Sequence, residues 1–116
     1  MSIPAITTAI PKRRYQLGEF IITVLGEVQS SDGLEYRWVA GVARESEPKP
    51  ALYVSAERNT EQPGQGALRL RVSMGSGEQV LGYGDEWRNL DTFVEQALHI
   101  VSTMLELSDE TPHRLL

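Results

Sequence analysis

Apolar and polar positions alternate along the chain as far as Tyr83. Side chains two apart on a strand share a face, so this alternation predicts strands. From Tyr15 to Val28, the residues Phe20, Ile22, Val24 and Val28 stand against Glu19, Thr23 and Glu27. Residues 29–33 follow, and the pair Asp32 and Gly33 suits a turn with positive φ. Leu34 to Arg44 predicts a second strand with Tyr36, Trp38, Ala40 and Val42 on one face. Residues 45–50 break the pattern with Pro48 and Pro50, and Ala51 to Glu57 restores it. A polar loop from Asn59 to Gly66 leads to the clearest alternation, Leu68, Leu70, Val72 and Met74 against Arg69, Arg71 and Ser73. A turn at residues 75–77 and a short fifth strand from Glu78 to Tyr83 complete the series. The connections are too short for parallel crossovers, so neighbouring strands are antiparallel.

The period then changes. Leu90, Phe93, Val94, Ala97, Leu98, Val101, Met104 and Leu105 form the stripe of an amphipathic helix. Asn89 is the predicted N-cap, with Asp85 a rival one turn earlier. The fold class is therefore α+β: an antiparallel β-meander of four to five strands with one C-terminal amphipathic helix packed on one face. Leu70, Val72, Phe93, Leu98 and Val101 are the expected core. Residues 1–14 read as an extended N-terminal arm, 15–107 as a single domain and 108–116 as a C-terminal tail.

Composition narrows the chemistry. The 116 residues suit one domain. With 41% hydrophobic and 23% charged residues the chain is ordinary globular material. There is no cysteine, which removes disulfides, cysteine-ligated metals and thiol nucleophiles. Residues 59–116 carry the whole net charge of −5. The positive charges of Lys12, Arg13 and Arg14 follow the N-terminal apolar stretch instead of preceding it, which is the reverse of a signal peptide. No apolar run approaches the ~18 residues of a membrane span. A cytoplasmic location is the expectation.

Few groups carry a catalytic signature. The glycine-rich residues 75–84 lack the Gly-Lys-Ser/Thr ending of a phosphate loop and read as turns around a short strand. His99 stands four residues after Glu95, an ordinary surface pair on a helix, and His113 is the other histidine. No metal site, catalytic residue or cofactor is predicted, and the reading leans away from an enzyme. Two constellations stand out. Strand alternation sends Arg37, Tyr53, Arg69 and Arg71 to the face opposite the helix, where they could hold an anion or stack a single-stranded base. Solvated arginines paired with Glu35 and Glu57 are the plainer alternative. Ile21, Leu25, Val39 and Ala43 add apolar surface to that same face. Such a patch suits a partner interface, or a sheet that curls over itself.

The succession of four to five strands and one long helix is similar to that of the single-stranded-DNA-binding coactivator and plant whirly domains. The resemblance is one of topology and covers roughly residues 15–107. Those families are basic with lysine-rich strand motifs, whereas the lysines here are Lys12 and Lys49, so no DNA contact carries over residue by residue. The resulting expectation is a small non-enzymatic interaction or adaptor protein (a chaperone, immunity-type or accessory factor), homodimeric or protein-binding. A single-stranded nucleic-acid binder using the Arg/Tyr face is the alternative, disfavoured by the net charge.

Overall fold

A computed structural model describes residues 3–116. It contains one seven-stranded antiparallel sheet and one α-helix. The strands are β1 (Ile6–Leu17), β2 (Phe20–Ser30), β3 (Tyr36–Arg44), β4 (Leu52–Arg58), β5 (Leu68–Met74), β6 (Gly77–Gly84) and β7 (His113–Arg114). A single 3-10 turn, Glu86–Arg88, leads into the helix α1 (Leu90–Met104). The order across the sheet is β6-β5-β4-β3-β2-β1-β7. The first six strands thus form a meander. After α1 the chain reaches the opposite edge, where β7 pairs with β1 through Tyr15 and Gln16.

The strand count exceeds the expected four to five, and the surplus lies at the two ends. Residues 6–14, read from sequence as part of an arm, form most of β1; Met1 and Ser2 of that arm lie outside the described residues. The expected single strand from Tyr15 to Val28 is two strands joined by a hairpin. Leu17 pairs with Phe20 across Gly18 and Glu19, and Gly18 adopts φ +58°, which a side chain would disfavour. Residues 108–116, expected as a tail, include β7. Beyond it the Leu115 N–H donates to the Arg14 carbonyl at 2.7 Å.

The core lies between the sheet and the helix. Ile22, Val24, Ala40, Val42, Leu52, Val54, Ala56, Leu70 and Val72 meet Phe93, Val94, Ala97, Ile100 and Val101. Of the expected core set, Leu98 alone is only half-buried, at the margin of this cluster. Asn89 caps α1, its side chain accepting from the Thr92 N–H at 3.1 Å. Asp85 instead accepts from the Ala67 N–H at 2.8 Å, tying the β4–β5 loop to the end of β6. Trp38 Nε1 donates to the Trp87 carbonyl at 2.9 Å and joins the central strands to the helix entrance. Among the described residues, no helix is long and apolar enough to cross a membrane.

Candidate functional site

Because α1 covers one face, the other face is built from the alternate residues: Ile21, Thr23 and Leu25 of β2, Val39, Gly41 and Ala43 of β3, Tyr53, Ser55 and Glu57 of β4, and Arg69, Arg71 and Ser73 of β5. This face has two zones. Over β2 and β3 it is an open groove of about 540 Å³. Ile21, Leu25, Gly41, Ala43 and Tyr53 line it, and Pro48 and Pro50 flank it from the β3–β4 loop. An added Cβ on Gly41 would lie 3.4 Å from Pro50 Cγ, so this loop leans over the groove floor. Arg14 borders the groove and its Nε donates to the Thr23 hydroxyl at 3.3 Å.

Over β4 and β5 the face is ionic. Glu57 is fully buried. Its Oε1 accepts from Arg71 Nε at 2.9 Å and from Arg69 Nε at 2.9 Å. Arg71, itself buried, also donates to Glu78 Oε2 at 2.7 Å and to the Tyr36 hydroxyl at 3.0 Å. Arg69 reaches Glu61 as well. The network ends at Asp32, which accepts from the Tyr36 hydroxyl at 2.7 Å, from the Leu34 N–H at 3.0 Å and from the Ala5 N–H at 3.1 Å. Burial works against the Asp32 charge, but these donors outweigh it and hold its pKa below the usual carboxylate value. Burial, then the Asp32 contact, pushes the Tyr36 hydroxyl far above its ordinary pKa. Beneath the network, the hydroxyls of Ser55 and Ser73 are buried without a partner among the described residues.

The anion-binding set is thus divided. Tyr53 lines the groove, while Arg69 and Arg71 are held by carboxylates of their own chain. Arg37 is elsewhere. A bulge places Tyr36 opposite Glu57 and Trp38 opposite Ala56, so the strict alternation that sent Arg37 outward fails there. Arg37 lies with its guanidinium carbon 5.0 Å from the Trp38 ring centre and donates to the Arg88 carbonyl at 3.3 Å. The interface set stays together, with one distinction. Ile21, Leu25 and Ala43 line the groove, whereas Val39 is completely covered by its neighbours.

Sequence reasoning offered Glu57 as a partner of the arginines on this face but missed Tyr36, Glu78 and Asp32 as members of the same network. Tyr36 was assigned to the Trp38 face because the bulge leaves no mark in the hydrophobic pattern. Asp32 had a signal, the Asp-Gly turn, but its contacts to Ala5 and Tyr36 come from tertiary pairing. Among the described residues, no group of His, Asp and Glu could hold a metal ion. His99 lies with Glu95, Thr92 and Gln96 in a shallow depression on the exposed side of α1. No family model, curated protein or solved structure matches the chain.

Proposed function

We propose that this chain is a non-enzymatic interaction protein that pairs with a second copy of itself through the helix-free face of its sheet. The observation that carries this reading is the groove: a mainly apolar trough over β2 and β3 on the sheet face opposite α1. Burying such surface is favourable by ~25 cal/mol for each Å². A second copy fits as the occupant because the same molecule also offers an exposed leucine. The register of β7 on β1 sets Leu115 beside Arg14 at the groove margin, and Leu115 is 53% exposed. A groove and an exposed leucine on one surface allow two copies to exchange them reciprocally, which is the form of a two-fold interface.

The ionic zone gives this interface a border. Its two guanidiniums are already matched by Glu57, Glu61 and Glu78, so it contributes polarity without offering surplus cations to a phosphate backbone. The test uses Ile21→Asp with Ala43→Asp, two half-exposed groove positions. The double variant is expected to keep its circular dichroism spectrum and to sediment as a monomer. A dimer that survives both aspartates contradicts the reading. So does tight, salt-sensitive binding of single-stranded DNA by the wild type, which would assign the face to nucleic acid instead.

A further inference from the structure

The two edges of the sheet are built differently. The β1 edge carries Pro11, which has no N–H, and the charges of Lys12, Arg13 and Arg14. It is further covered by β7, beyond which the N–H groups of Leu115 and Leu116 both donate to the Arg14 carbonyl. Proline, basic residues and a short covering strand are devices by which sheets block edge-to-edge pairing. The β6 edge has a single irregularity, a bulge at Leu81 where the pairing with β5 steps from Leu70–Gly82 to Arg71–Val80, and none of these three devices. Among the described residues β6 pairs only with β5, and Gly77–Gly84 contains no proline, lysine or arginine. Its one charge, Glu78, is matched by Arg71 of the neighbouring strand. Val80 and Leu81 are 38% and 42% exposed. Only the far end is closed, where Gly66 of the β4–β5 loop approaches so closely that a Cβ there would lie 2.6 Å from Gly84 Cα. The rest of β6 presents unpaired backbone groups beside two apolar side chains, which is a template for an added strand.

Charge selects the occupant. Glu78 stands at one end of the strand and Asp85 and Glu86 follow the other. Glu78 is held by Arg71, but Asp85 and Glu86 are exposed, and a second β6 laid antiparallel on the first would bring each copy's Asp85 and Glu86 beside the other's Glu78, which disfavours self-pairing at this edge. We infer that β6 receives an extended segment of a partner protein as an eighth strand, with alternating apolar residues and lysine or arginine at its flanks. This surface is separate from the groove, and its occupation does not depend on dimerisation.

The probe is a short fluorescent peptide of alternating valine and threonine with lysines at both ends, titrated into the full chain by anisotropy. It should bind. The same peptide with glutamate flanks, and a version N-methylated at alternate residues, should each bind about tenfold more weakly or worse. Raising salt from about 0.01 M to about 1 M, which shortens the Debye length from ~30 Å to ~3 Å, should weaken the lysine peptide. Val80→Lys with Leu81→Lys should weaken binding with the circular dichroism spectrum kept. Ile21→Asp with Ala43→Asp should leave binding unchanged. Failure of the lysine peptide to bind overturns the inference. Equal binding of the N-methylated or glutamate-flanked peptide also overturns it, and neither comparison requires a variant to fold. Loss of binding in the groove variant would place the peptide on the other surface.

Discussion

Glu57 is fully buried on a sheet face that carries no helix, and two guanidiniums make that possible. Taking a charge out of water is costly, and removing one partner of a buried pair typically costs ~3–5 kcal/mol because the remaining charge is stranded. Arg71 keeps Glu78 when Glu57 is neutralised, so Glu57→Gln should fall toward the lower end of that range in urea unfolding. An unchanged midpoint would mean the network contributes nothing. The same network fixes the pH response. Asp32 has a lowered folded pKa, so its contribution is complete above the unfolded value of ~3.9 and is lost as pH falls through the folded value. Tyr36 is the opposite case: the unfolded chain gives up the phenolic proton near pH ~10 while the folded chain retains it, so stability declines above that pH. Tyr36→Phe should flatten the alkaline decline and Asp32→Asn the acid one, read from unfolding midpoints across pH. Val39 belongs to the same scale. Being completely covered, Val39→Asp would bury an unpaired charge and unfold the chain, so it cannot report on an interface.

At the scale of elements, α1 and β5 were readable from the sequence because each has one strong period and one buried face. Phe93 and Val101 are fully buried as the helical stripe required, and Asn89 caps the helix as its position implied. Phe93→Ala should cost ~3–5 kcal/mol and Leu98→Ala clearly less, since Leu98 is only half-buried. Equal losses in thermal unfolding would contradict the packing described. The N-terminal hairpin was hidden because apolar residues continue on both sides of Gly18, so its turn interrupts no pattern. β7 was hidden because two residues cannot display a period. Arg37 was misplaced by the bulge beside it, while Arg69 and Arg71 were assigned to the correct face. They engage Glu57, as the plainer sequence alternative had it, but Arg71 and Glu57 are buried and not solvated, and Glu35 pairs with Arg58 instead.

For the molecule as a whole, the asymmetry of the sheet is the governing fact. One face is closed by α1; the other is part ionic lattice and part open apolar groove with Leu115 at its border. Pairing of two copies through that groove is the central claim, and the mass in solution tests it most directly. Light scattering on the size-exclusion peak, with protein at micromolar concentration, should return twice the 12.9 kDa of the chain. A single species at 12.9 kDa under those conditions would contradict the claim.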